Sequence, residues 1–127
     1  MRPRPVVILY VEDNRVLSQT VRDVLEFAGW YVKPCADFAM ALALIESPQH
    51  FDVILLDNEL WGMTGLRLTE LARGRPHRRK TPIILISVED RAEEARRAGA
   101  DAFLRKPNNL IDLIETIRRL LAERGGS

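Results

Sequence analysis

The 127-residue chain predicts an α/β fold, a doubly wound parallel sheet with helices on both faces. Three observations carry this reading. Short runs such as Val6 to Val11, Asp52 to Leu56 and Pro82 to Ile86 are almost wholly aliphatic, as strands buried on both faces must be. Between them lie segments whose apolar residues recur at spacings of three and four. Strand and helix alternate five times, with connections too short for a meander of hairpins.

Taken in order, Val6 to Val11 is the first strand, and Asn14 caps a helix that carries Leu17, Val21, Val24, Leu25 and Ala28 on one face before Gly29 ends it. Trp30 to Cys35 adds a strand nearer an edge. Asp37 caps a second helix through Ser47, where Pro48 stops it. Asp52 to Leu56 is the third strand, and Gly65 to Arg73 the third helix. Pro82 to Ile86 is the fourth strand, followed by a charged helix from Glu89 to Ala98 before Gly99. Ala102 to Leu104 is the fifth strand. From Asn109 onward Leu110, Leu113, Ile114, Ile117, Leu120 and Leu121 share one helical face.

The size suits a single domain, with a core over about residues 6–122 and 123–127 as a tail or linker stub. Hydrophobic residues make up 46% and charged ones 29%, the balance of a chain that can bury a core. Nineteen Lys+Arg against eighteen Asp+Glu leave a net charge of +1, which excludes a strongly basic nucleic-acid module. The longest apolar run, Phe38 to Ile45, has eight residues, far short of the roughly 20 a membrane span needs. Without a secretory core near Met1, a cytoplasmic location is expected. The lone Cys35 fits a reducing compartment and reads as a buried small apolar residue.

In such sheets ligands sit at the carboxyl ends of the strands, where the winding reverses. Those ends carry Glu12 and Asp13, Asp57, Ser87 and Lys106. Three carboxylates converging there would repel unless a cation neutralised them. Hard oxygen donors without His or Cys select Mg²⁺ or Mn²⁺. Lys106 and the Ser87 hydroxyl supply what an anionic phosphoryl group needs on the same rim. Singly, each residue has an ordinary explanation as a helix cap, strand end or solvated charge. The functional reading rests on four of five apolar strands delivering a polar group to one edge.

The segments Val-Glu12-Asp13-Asn14, Ile-Leu-Leu-Asp57, Ile-Leu-Ile-Ser87 and Gly99-Ala-Asp-Ala-Phe103-Leu-Arg-Lys106-Pro107, in that order, resemble the receiver domain of two-component response regulators of the chemotaxis-regulator type. Gly65, eight residues beyond Asp57, also falls where that family usually has Gly. The resemblance covers nearly the whole chain and implies a flavodoxin-like sheet of order 2-1-3-4-5 with five helices. It implies that Asp57 takes a phosphoryl group from the phosphohistidine of a histidine kinase or histidine phosphotransfer protein. Asp13 and Asp57 would ligate Mg²⁺ directly, Glu12 would act mainly through bound water, and the backbone carbonyl of Glu59 would complete the protein ligands. Lys106 would neutralise the phosphoryl oxygens, and Ser87 would bond one of them after transfer. Phe103 matches the aromatic that turns inward in this family, a core aromatic being the equal alternative. The surface around the fourth and fifth helices would then meet an output protein or domain, or a second copy of the chain, with no membrane and no direct nucleic-acid contact.

Three departures qualify the match. Trp61 stands where the family often has Pro, with Leu60 before it in place of Met. Val88 is larger than the usual small residue and narrows the path to Asp57. The stretch from Ser87 to Lys106 is roughly one helical turn short, so the fourth helix is abbreviated or displaced and a poor dimer surface. Glu59 and Glu89 are candidates for tuning water access. The basic run Arg73 to Lys80 reads as a solvated loop, His50 and His77 as surface residues, and Trp61 with Met63 as either a contact patch or loop packing. A Mg²⁺-dependent phosphoester hydrolase is disfavoured because Asn58-Glu59 puts no Asp two residues after Asp57. A flavin carrier is disfavoured because Glu12 and Asp13 would repel a phosphate.

Overall fold

The aliphatic runs pair side by side in the computed structural model, which describes residues 4–60, 62–106 and 110–125. The elements run β1 (Val7–Val11), α1 (Arg15–Phe27), β2 (Tyr31–Cys35), α2 (Phe38–Glu46), β3 (Val53–Asp57), β4 (Glu59–Leu60), β5 (Met63–Thr64) and α3 (Gly65–Arg73). A 3-10 turn (Pro76–Arg78), β6 (Ile83–Ser87), α4 (Ala92–Ala98), β7 (Ala102–Arg105) and α5 (Leu110–Gly125) follow. Five strands form one parallel sheet in the order β2-β1-β3-β6-β7, which is 2-1-3-4-5 when the separate β4–β5 ribbon is left out of the count. The winding reverses between β1 and β3. No helix among the described residues is long and apolar enough to cross a membrane.

Alternate residues of each central strand feed two cores, which is why the runs are apolar throughout. Leu9, Val11, Ile54, Leu56, Ile83 and Leu85 pack toward α2, α3 and α4. Ile8, Tyr10, Val53, Leu55, Ile84 and Ile86 pack toward α1 and α5, against Val21, Leu25, Leu113 and Ile117. All five residues of β3 and of β6 are buried. Cys35 is buried in the first core, as expected. The caps follow the sequence: Asn14 Oδ1 accepts the Leu17 amide at 3.0 Å and Asp37 Oδ1 the Met40 amide at 2.7 Å.

Three expectations need correction. The third strand is displaced by one residue, so Asp57 is its last member and Asp52 lies before it, accepting the Val7 amide at 2.8 Å. Burial works against the Asp52 charge, but the His50 hydrogen bond and the Val7 amide hold its carboxyl below the usual range. The fourth helix does not begin at Glu89. Ser87 Oγ accepts the Glu89 amide and Asp90 Oδ1 the Ala92 amide, and these local bonds hold residues 88–91 out of the helix. What remains is a seven-residue α4, closed by Gly99 in the left-handed conformation at φ 104°.

The basic run is the third correction, since two of its arginines hold the fold together and are not solvated. Arg78 is 2% exposed. Its guanidinium donates to the carbonyls of Leu44, Ile45, Ser47 and Gln49 at 2.6–3.1 Å and lies 4.9 Å over the Phe51 ring. It thereby caps the carboxyl end of α2, where unsatisfied carbonyls concentrate negative charge. Arg73 ties the carbonyls of Gly99, Arg78 and Thr81 to Asp101. His77 stays on the surface, against the Ile45 and Ser47 carbonyls. Trp61, Pro107 and Asn109, which figured in the sequence reading, lie outside the described residues.

Candidate functional site

Because β1, β3 and β6 are parallel neighbours, their last residues share one edge. Glu12 follows β1 directly, Asp57 ends β3 and Ser87 ends β6. Glu12, Asp13 and Asp57 each present a carboxylate oxygen within 4.8 Å of the others. Glu12 and Asp57 are buried at 3% and 2% exposure, and Asp13 is the most accessible of the three. Lys106 reaches in from the end of β7, its Nζ 3.0 Å from Asp57 Oδ1 and 3.3 Å from Glu12 Oε1. The Lys106 amide donates to the Ser87 carbonyl at 2.8 Å, which anchors its backbone to the neighbouring strand.

The main chain beneath Asp57 is fixed by close packing. A Cβ on Gly65 would meet the Asp57 carbonyl oxygen at 2.5 Å, Leu85 Cδ1 at 2.9 Å and Asn58 Cα at 3.0 Å, all inside contact distance. Only glycine lets α3 start this close to β3, which accounts physically for a Gly eight residues beyond Asp57. Asn58, buried and given no positioning role by the sequence, ties the loop to α3: its Oδ1 accepts the Leu66 amide and its carbonyl accepts the Gly65 amide. An Asx residue at a strand end before a glycine turn was the available signal.

The electrostatics follow from this crowding. Burial, reinforced by the Glu12 charge and only partly opposed by Lys106, raises the Asp57 carboxyl to about 7. Burial opposes the Lys106 charge, yet its hydrogen bond to Asp57 and the charges of Asp57 and Glu12 keep the ammonium above its ordinary value. Tyr10 was also missed by the sequence reading. Its pKa is pushed up by burial and then by Glu12 and Asp57, so its hydroxyl stays protonated under the acidic cluster. One internal ammonium faces two buried carboxylates and a third beside them. The balance is negative and favours an added cation.

Two expected site residues, Ser87 and Phe103, are engaged within the protein. The Ser87 hydroxyl, fully buried, donates to Glu59 Oε2 at 2.6 Å. The Val88 amide donates to Glu59 Oε1 at 2.8 Å. The Glu59 amide in turn donates to Asp57 Oδ1 at 3.2 Å, so Glu59 bridges β3 and the end of β6. Phe103 is half-buried and packs on the core between the sheet and α2–α4, opposite Leu85. Val88 itself is 50% exposed, and Glu89 is engaged by Arg91.

A parallel sheet of this order with an acidic cluster at its carboxyl edge defines a class, and residues 8–118 match the family model described as the response regulator receiver domain. The chain belongs to that family, a family of signalling modules. Among curated proteins it is 30% identical over 125 residues to the probable transcriptional regulatory protein TcrX of Mycobacterium tuberculosis, covering 96% of this chain and 52% of TcrX. The chain thus spans about half the length of that relative. Among solved structures it superposes with a TM-score of 0.88, at 32% identity, on a CheY-like receiver domain protein from Methanospirillum hungatei, covering 97% of this chain and 98% of the other. It also matches the receiver domain of the sensor histidine kinase PA1611 from Pseudomonas aeruginosa, solved with a magnesium ion coordinated in its active-site cleft. That match has a TM-score of 0.84 at 29% identity, over 94% of this chain and 99% of the other.

Proposed function

We propose that residues 6–122 form a single phospho-accepting receiver domain, acting in the cytoplasm, in which Asp57 is the acceptor and Glu12, Asp13 and Asp57 hold a divalent cation. One observation carries this reading: the Asp57 carboxylate ends a buried strand within 4.8 Å of two other carboxylates and 3.0 Å from the Lys106 ammonium. The donor set, all hard oxygen with no His or Cys, fits Mg²⁺ or Mn²⁺. The backbone carbonyl of Glu59 would add a further oxygen. When bound, such an ion supplies charge neutralisation for the transferring phosphoryl group.

In transfer, an Asp57 carboxylate oxygen attacks the phosphorus of a phosphohistidine on a histidine kinase or phosphotransfer protein. The phosphorus–oxygen bond forms as the phosphorus–nitrogen bond breaks, and the imidazole nitrogen keeps the electron pair. Lys106 exchanges its bond to Asp57 for one to the phosphoryl oxygens. Ser87 and the Val88 amide are then the nearest neutral donors on β6, and their movement toward the phosphoryl group carries the change toward Phe103, α4 and α5. Self-phosphorylation and self-dephosphorylation are the only chemistry this arrangement needs.

Incubation with a small phosphodonor and Mg²⁺, followed by intact mass measurement, tests the reading. Wild type gains one phosphoryl group and Asp57→Ala gains none. Multiple turnover of free phosphoesters, or an unchanged gain in Asp57→Ala, overturns it.

A further inference from the structure

The Ser87–Glu59 contact has a consequence beyond the acceptor site itself. Both donors at the end of β6, the Ser87 hydroxyl and the Val88 amide, are held by the two oxygens of one carboxylate at 2.6 and 2.8 Å. Charge-assisted bonds of this length are among the stronger ones available to a protein, and Ser87 is shut off from water. The Glu59 carboxylate supplies both acceptors. Burial works against its charge, but the Ser87 and Val88 bonds hold its carboxyl below the usual range.

We propose that Glu59 is an internal competitor of the phosphoryl group, occupying in the unmodified chain the two β6 donors that a phosphorylated Asp57 recruits. This rests on the receiver reading above. A carboxylate and a phosphoryl group both offer paired anionic oxygens, and the two donors cannot serve both in full. Modification of Asp57 places new negative charge beside the Glu59 main chain, whose amide already touches Asp57 at 3.2 Å. Repulsion and competition then act in the same direction, driving the Glu59 side chain off Ser87. Its backbone need not follow, because Glu59 is paired with Thr64 in the β4–β5 ribbon. The exposed position of Glu59 gives the released carboxylate immediate access to solvent. The unmodified state is thereby held by a contact that modification must break, which sets a threshold for switching.

Beryllium fluoride with saturating Mg²⁺ serves as the probe, titrated against wild type, Glu59→Ala and Glu59→Asp while the Val88 amide resonance is followed by NMR. Wild type shows a downfield Val88 amide that shifts on titration; in both variants that amide starts upfield and the mimic binds about tenfold tighter. Glu59→Asp separates the contact from charge alone, since it keeps the charge on a side chain one methylene too short to reach both donors. If Glu59→Asp binds the mimic as wild type does, or if the Val88 amide is the same in wild type and Glu59→Ala, the competition is absent and the proposal fails while the receiver reading stands. If none of the three proteins binds the mimic, the receiver reading itself falls, and this proposal with it.

Discussion

Two of the buried charge clusters among the described residues are built on opposite terms. At the carboxyl end of α2, the Arg78 guanidinium meets four backbone carbonyls through Nε and Nη2 and lies over an aromatic face, so its charge is spread over several acceptors. At the carboxyl edge of the sheet, Glu12 and Asp57 share one ammonium, and the Ser87 hydroxyl is held by Glu59. The first cluster is electrically satisfied and has no reason to change. The second carries surplus negative charge in a place where water is scarce, and its energy falls when a cation or proton arrives. Burial alone therefore does not separate a structural charge from a working one; the saturation of its partners does.

The largest effect should come from breaking the satisfied cluster. Arg78→Ala strips the guanidinium from the Leu44, Ile45, Ser47 and Gln49 carbonyls, two of which keep His77 beside them, and should cost about 3 kcal/mol of unfolding free energy in urea melts. A loss within the scatter of surface substitutions would show that water replaces the guanidinium at no cost. Next in size, and opposite in sign, is Asp57→Asn. The Asp57 carboxyl holds its proton up to about pH 7 in the folded chain against 3.8 for an ordinary aspartate. The folded state thus binds the extra proton between those values, and stability falls as pH rises through that window. Without divalent cation, Asp57→Asn should gain on the order of 2 kcal/mol at pH 8 and flatten that slope, while wild type should recover most of the difference on adding Mg²⁺. An Asp57→Asn variant with an unchanged slope would mean that Asp57 is ionised throughout. The smallest stability effect belongs to Lys106→Ala. Loss of the ammonium is offset by Asp57 keeping its proton, so the cost should be about 1 kcal/mol at pH 7. Its response to beryllium fluoride should weaken about tenfold with Mg²⁺ binding retained, and an undiminished response would remove Lys106 from the proposed switch.

The same contrast governs what the sequence could disclose. The acidic edge was legible because each aliphatic run stops at a polar residue, and parallel pairing then collects those stops: Glu12, Asp57 and Ser87 needed no side-chain geometry to be brought together, while the strand order came with the family resemblance. Arg78 was not legible. Nothing in Arg73 to Lys80 distinguishes a guanidinium facing water from one turned onto the end of another helix, and the deciding carbonyls lie some thirty residues away. The start of α4 was misjudged because Glu89 and Asp90 suit a helix by composition, while the Ser87 and Asp90 side chains take the amides a first turn would have used. The hold of Glu59 on Ser87 depends on how the β4–β5 ribbon turns, which no pattern of residue types encodes.

The approach of Gly65 to the Asp57 carbonyl gives the site a rigid floor and a yielding wall. With a Cβ at position 65 falling 2.5 Å from that oxygen, the main chain of the acceptor has no room to retreat, and any rearrangement must be taken up by groups across the cleft. A genetic screen for inactive alleles should therefore recover substitutions at this uncharged position as readily as at the acids themselves, although Gly65 carries no reactive atom.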